Sequence, residues 1–357
     1  MKHIATAAAV TTLLALAAGT ASAQSSVTLF GVIDNSLRNV DNSGVGSSST
    51  LASGGNTTSR FGFRGEEDLG GGLKAGFWLE SGLDTGTGAV GADGGLFNRR
   101  STVSLIGNFG EIRLGRDLNP SSAFTYLFDP FGVVGIGGSA ATARFVATTA
   151  TATKDTFYRN DNAISYFLPK MGGVYGHAMV APGENGLESS PTTRARKYAG
   201  GRLGYANGPI DVAVSYGSTE TDTTGGKFKT TGIGGSYNFG VAKLISHYYL
   251  DELTAGTDAG KEKRFLLGVS VPVGAHEVRA SYVRTDATGG SAAYDAYDAN
   301  KLALGYVHNL SKRTALYGTL ARISNKGDAK FAIAGGNTGM AAGGKSTGYE
   351  LGLRHSF

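Results

Sequence analysis

Hydrophobic and polar residues alternate with a period of two over most of the chain, which predicts β-strands with one apolar and one wet face. From Ser26, residues Val27, Leu29, Gly31 and Ile33 oppose Thr28, Phe30, Val32 and Asp34. Next, Phe61 and Phe63 oppose Arg60, Gly62, Arg64 and Glu66, and Leu73, Ala75, Phe77 and Leu79 oppose Lys74, Gly76, Trp78 and Glu80. A soluble sandwich with its polar face in water has this pattern. So does a membrane barrel with its apolar face on lipid and its charges in the lumen.

The rhythm of the connections separates the two. Long polar segments near Asn39–Thr58, Gly82–Leu96, Leu118–Arg159, Pro182–Arg196, Ser218–Lys227, Asp251–Lys261, Thr285–Asn300 and Asn325–Lys345 alternate with short turns: EDLGGG, GNFGE, PKMGG, ANGP, NFG, VPVGAH and HNLSK. Long outside loops and short periplasmic turns are the habit of an up-and-down outer-membrane barrel, here all-β, antiparallel and of roughly 16 strands. Runs such as KRFLLGVSVPV and KLALGYV are near the roughly 9 to 11 residues that a tilted strand needs to span a bilayer. Closure would also remove the sticky edges of an open sheet.

Composition narrows this further. Of 357 residues, 57 are glycine, only 7 are proline and none is cysteine, which disfavours helices and suits a turn-rich β-protein. Lys2 and His3, an apolar run from Ile4 to Ala18 and Ala21-Ser22-Ala23 form a secretory leader pattern, so residues 1–23 are expected to be a cleaved signal peptide and 24–357 one barrel domain. No later window has the roughly 20 continuous apolar residues of a spanning helix. Export without cysteine leaves stability to the hydrogen-bond ladder. The net charge of +5 favours anions as partners, and its basic residues are scattered singly along strands, unlike a nucleic-acid interface.

The segment Leu118–Arg159 is too long and too apolar for an ordinary loop. Its Phe124, Tyr126, Phe128 and Phe131 need a wall to pack on, and the inside of the barrel supplies one. It is therefore expected to fold inward and narrow a water-filled pore.

The segments SSVTLFGVID, SRFGFRGEEDLGGGLKAGFWLE, RRSTVSLIGNFGEIRLGRD, SYNFGVAKL, LGYVHNLSKRTALYG and LGLRHSF together resemble the Gram-negative general porins, and among them the anion-selective trimeric porins of betaproteobacteria. The resemblance implies a 16-stranded barrel, a homotrimer in the outer membrane beside lipid and lipopolysaccharide, a third loop folded into each pore, and passive diffusion of small hydrophilic solutes. It also implies that Phe357, on an alternating last strand, is the signal read by the outer-membrane assembly machinery.

By the same resemblance, an arginine cluster sets anion preference, and the matching positions are Arg60, Arg99 and Arg159. Strand phase places Arg60 and Arg159 inside. It does not place Arg99 cleanly: if Val103 and Leu105 face lipid, strict alternation puts Arg100 in the lumen, so Arg99 needs a bulge or a place above the regular ladder. Arg64 and Lys74 share the lumenal phase, as do Arg202, Arg264, Arg279, Lys301 and Arg354, which could extend the path. Asp117, Asp129 and Asp155 either temper the field or fix the loop.

Catalytic readings do not hold together. GMAAGGKS from Gly339 to Ser346 matches a phosphate-binding loop formally, but an alternating strand follows where a helix is required. His177, His247, His308 and His355 are isolated, and His276 lacks the second histidine of a zinc helix. No enzyme activity, metal or cofactor is expected. A substrate-specific channel, or a surface receptor or adhesin on a porin scaffold, are the alternatives.

Overall fold

The computed structural model describes residues 26–90, 95–143, 158–182, 197–220, 226–254, 259–289 and 297–357. The expected signal peptide and Asp155 lie outside the described residues. The strands are β1 (Ser26–Asn42), β2 (Gly46–Ser53), β3 (Arg60–Gly70), β4 (Leu73–Gly82), β5 (Arg100–Gly107), β6 (Gly110–Leu118), β7 (Arg159–Phe167), β8 (Val174–Ala181) and β9 (Tyr198–Asn207). They continue as β10 (Ile210–Glu220), β11 (Lys227–Asn238), β12 (Lys243–Leu253), β13 (Gly260–Val273), β14 (His276–Thr288), β15 (Asp298–Asn309), β16 (Thr314–Lys326) and β17 (Lys345–Ser356). From β3 to β17 each strand pairs antiparallel with the next. Each of the seven predicted short turns joins two neighbours.

The barrel closes where β1 pairs with β17, from Val32↔Ser356 to Asn42↔Ser346. The other edge of β1 carries two strands end to end: β3 beside Ser26–Val32 and β2 beside Asn35–Asn42. These two form one stave, so the 17 strands make a closed barrel of 16. The polar segment expected as a loop over Asn39–Thr58 is thus largely a hairpin, because Ser, Thr and Gly can carry ladder hydrogen bonds with both faces wet. Between the two pieces, Asp34 holds the break by accepting from the backbone N–H of Asn56 at 3.0 Å and of Thr57 at 2.6 Å.

Side-chain phase follows the sequence pattern. Val27, Leu29, Val103, Ile164, Leu302, Leu351 and Leu353 are exposed on the outer face, while Asp34, Thr102, Ser165, Thr285 and Glu350 are buried on the inner one. Phe357 completes the seam through reciprocal backbone bonds with Gly31 at 3.0 and 3.1 Å, and a Cβ at Gly31 would strike its ring.

The segment after β6 runs inward. Asn119 caps helix α1 (Pro120–Leu127) by accepting from Ser122 N–H at 2.9 Å, and Pro120 opens the helix where no intrahelical donor is needed. Phe124 and Phe128 are fully buried, edge to face at 5.1 Å, and Phe124 stacks on Tyr249 of β12 at 6.0 Å. Gly232 and Gly234 of β11 leave room for these rings, since a Cβ at either would meet Phe124. Phe124, Phe128 and Phe131 are packing against the inner wall.

Further along, the carboxylate of Asp129 accepts from Phe131 N–H and Ser139 N–H, both at 2.8 Å, and so shapes the turn before the short 3-10 helix Ser139–Thr142. Glu350 of β17 accepts from Ile136 N–H at 3.2 Å, Lys301 of β15 donates to the Gly138 carbonyl, and Thr285 of β14 donates to the Thr142 carbonyl at 3.2 Å. The segment is therefore tied across the lumen to β11, β12, β14, β15 and β17.

Candidate functional site

Three arginines meet where this segment leaves and rejoins the wall. Arg60 is the first residue of β3, Arg99 directly precedes β5 and Arg159 is the first residue of β7. The Arg99 Nε lies 2.6 Å from Glu80 Oε1 and the Arg60 Nε lies 3.7 Å from the same oxygen. Arg159 Nε donates to the Arg99 carbonyl at 2.9 Å. The guanidiniums of Arg60 and Arg159 are both within electrostatic reach of Arg99 and of Tyr126 on α1. Glu80 is steadied from below by the Trp78 indole, which donates to Oε2 at 3.1 Å. Tyr158, partly buried just before β7, has its hydroxyl pushed above the usual range by desolvation.

A second tier lies toward the short-turn rim. Arg100 sits 4.4 Å from the centre of the Trp78 ring, and Arg64 sits 5.0 Å from the same ring and 5.4 Å from that of Phe30. Flat guanidiniums favour such stacking, which fixes them while leaving their edges for ligands. Asp117 accepts from Arg113 Nη1 at 2.5 Å and lies 3.8 Å from Arg100 Nε. Glu111 accepts from Arg113 Nε at 2.8 Å. Arg64, Trp78, Arg100, Glu111 and Arg113 border a recess of about 300 Å³.

Arg99 and Arg100 therefore both face inward. Arg100 obeys the ladder, with Thr102 and Ser104 buried and Val103 and Leu105 exposed. Arg99 stands one residue before the ladder begins, so alternation does not govern it. Arg60, Arg64 and Arg159 are inward as their phase predicts, and Lys74 is at the short-turn mouth, half exposed and 3.5 Å from Glu66. Asp117 is engaged by wall arginines, whereas Asp129 shapes the loop.

Two lumenal cations differ from their expected part in an anion path. Arg264 is paired with Asp251 at 2.6 Å and Glu262 at 3.0 Å, and all three are buried. Lys301 is fully buried against the loop backbone. Phase placed both inside, but neighbours have neutralised one and covered the other. Arg38, lumenal on β1, is likewise held by Glu350 at 2.8 Å.

Sequence reasoning passed over Glu80, Arg113, Arg116 and Glu350 as site residues. Glu111 and Arg113 alternate with Ile112 and Leu114, so phase could have found Arg113. Arg116 escapes it because the register shifts between Gly115 and Asp117, sending Arg116 to the Asn98 carbonyl and to Asp161, each at 2.6 Å.

A family model described as Gram-negative porin matches residues 5–328. Outer membrane porin protein 32 of Delftia acidovorans is 42% identical, with 96% of this chain and 97% of that protein covered. An outer membrane porin of Bordetella pertussis is 31% identical over 97% of this chain and 98% of its own length. Among solved structures, an anion-selective porin from Comamonas acidovorans superposes with a TM-score of 0.82 at 40% identity, covering 93% of this chain and all of that one.

Proposed function

From the premise that the chain belongs to the Gram-negative porin family and is an outer-membrane channel, we propose that small hydrophilic solutes diffuse passively through it and that Arg60, Arg99 and Arg159 give it anion preference. The observation that carries this reading is the gathering of three guanidiniums, Arg60 and Arg99 sharing the one carboxylate of Glu80 and Arg159 held on the Arg99 carbonyl, close to Tyr126 of α1. Arginine stays charged at any working pH, and its several donors replace an anion's water at a narrow place. Selectivity then needs sites strong enough to admit the ion and spread enough to release it. Arg100, Arg64 and Lys74 below the cluster supply that spread. The similarity to a solved porin described as anion-selective supports the same reading.

In this reading the segment Leu118–Arg159 is the constriction loop. Residues 1–23 are the cleaved leader, Phe357 is the assembly signal, and three copies associate in a membrane of phospholipid and lipopolysaccharide. The three-copy state is tested by cross-linking the purified protein.

Current through purified protein in a planar bilayer under a salt gradient tests the function. The expected reversal potential is that of an anion-preferring pore. Arg60→Ser and Arg159→Ser should each lower the anion-to-cation permeability ratio several-fold, since one charge at 4 Å in an intermediate dielectric is worth about 1–4 kcal/mol. A cation-preferring reversal potential in the unmodified protein would sink the selectivity claim, and no channels would sink the function.

A further inference from the structure

On the lipid-facing wall of β14–β17, an apolar groove ends in a compact polar network. His276 and His308 are direct cross-strand partners. Their rings stack at 4.6 Å with their Nδ1 atoms 3.0 Å apart, and the Tyr306 hydroxyl lies 2.5 Å from His276 Nδ1. Because one Nδ1 donates to the other, one of the two rings carries its proton on Nε2 and offers that N–H to a partner outside the barrel wall. Just beyond, in the turn joining β15 and β16, Lys312 and Arg313 are exposed. The nearest carboxylate on β14, Glu277, points into the lumen and is taken by Arg279 at 2.7 Å, so it does not offset this charge.

The groove above the network has a volume of about 770 Å³. Leu304, Leu316, Leu320, Tyr349 and Leu351 surround Gly318, and all five side chains are exposed. Gly318 faces outward, and its missing side chain lets Leu351 lean over it, which keeps the trough low between its neighbours. Read from the rim toward the middle of the wall, the order is cationic turn, hydrogen-bonding network, apolar trough. That is the order of groups in an anionic phospholipid: headgroup, phosphate, acyl chain. The short-turn rim of an outer-membrane barrel faces the periplasm.

We propose that this groove is a binding site for an anionic phospholipid of the periplasmic leaflet, with its acyl chain along Gly318 and its phosphate at His276, His308 and Tyr306 beside Lys312 and Arg313. The phosphate accepts from imidazole and phenol donors, and the turn supplies long-range attraction that reaches a surface anion within a Debye length.

Native mass spectrometry of the purified protein, titrated with phosphatidylglycerol or with phosphatidylcholine of the same acyl chains, tests the site. Both lipids offer the same phosphate to the network, so the difference lies in the choline cation, which the Lys312–Arg313 turn repels; phosphatidylglycerol is expected to be retained about fivefold better, the size of one charge interaction at contact distance in a high dielectric. The Lys312→Gln/Arg313→Gln double variant, altered only on an exposed turn, should bring it close to the phosphatidylcholine level, whereas His276→Ala/His308→Ala should lower retention of both lipids, since both present the same phosphate. Gly318→Leu should lower retention of both lipids while single-channel conductance stays unchanged. Equal retention of the two lipids with no effect of any variant would mean an unspecific lipid annulus and overturn the proposal. So would variants that dissociate the oligomer without changing lipid retention, because the groove would then belong to a contact between copies.

Discussion

Two walls of the same lumen carry basic residues in the same strand phase and use them in opposite ways. On β3–β7, the side chains of Arg60 and Arg99 keep 28% and 17% exposure and share the single carboxylate of Glu80. Across the pore on β13, Arg264 has two carboxylates to itself, and on β1, next to β3, Arg38 is held at 9% exposure by a Glu350 side chain with none. The first wall is left with surplus positive charge facing water. The other cations are neutralised by carboxylates, and Lys301 has become a fastener for the inward segment. The alternation of a strand says which side a cation is on, and only its neighbours say whether its field survives.

The largest test of this contrast removes a fastener. Glu350→Ala leaves Arg38 buried without its carboxylate and Ile136 N–H without its acceptor. Breaking a buried pair in this way costs about 3–5 kcal/mol. The folded barrel should lose its resistance to heat in detergent at a clearly lower temperature, and the open channel should become noisier as the segment detaches. Unchanged heat resistance together with unchanged noise would show that Glu350 does not hold the loop.

Glu350 also marks where sequence reading stops. The strand count and the alternation of loops and turns were legible because they rest on local periodicity, and the inward fate of the segment that begins at Leu118 because its length and apolar residues are local too. The Arg38–Glu350 pair joins residues 312 positions apart across the closing seam, and nothing local announces it. Glu80 was legible as lumenal from its own strand, but not as the shared partner of Arg60 and Arg99, because that depends on how β3, β4 and the approach to β5 are registered. The hairpin Gly46–Ser53 was hidden for a different reason. Both of its faces are wet, so it has no apolar alternation to detect.

An intermediate effect is expected from the open wall. Glu80→Gln removes the negative charge among Arg60, Arg99 and Arg159 while preserving the shape of the side chain. The anion-to-cation permeability ratio should rise about two- to fivefold, a change of ~1 kcal/mol or less in the field seen by the ion. Arg60 and Arg99 then repel each other without compensation, so heat resistance should fall slightly as selectivity rises. A ratio that falls would mean that Glu80 matters by holding Arg99 in place more than by its charge, and the surplus-charge account of this wall would need to be abandoned.

The smallest effect should come from Lys74, which shares the phase of the wall arginines but stands at the wide mouth, 48% exposed and only 3.5 Å from an exposed Glu66. An exposed pair of this kind contributes about 0–1 kcal/mol and is screened by salt. Lys74→Gln should therefore shift the reversal potential slightly near 0.1 M salt, where the Debye length is about 10 Å, and not measurably near 1 M, where it is about 3 Å. Arg60→Ser should retain most of its effect over the same range, because a permeating ion passes Arg60 at contact distance in a narrow place where few counterions fit between them. If the two substitutions lost their effects in parallel as salt increased, Arg60 would be acting as a mouth charge does, from a distance, and the division between a selecting constriction and an attracting vestibule would not hold.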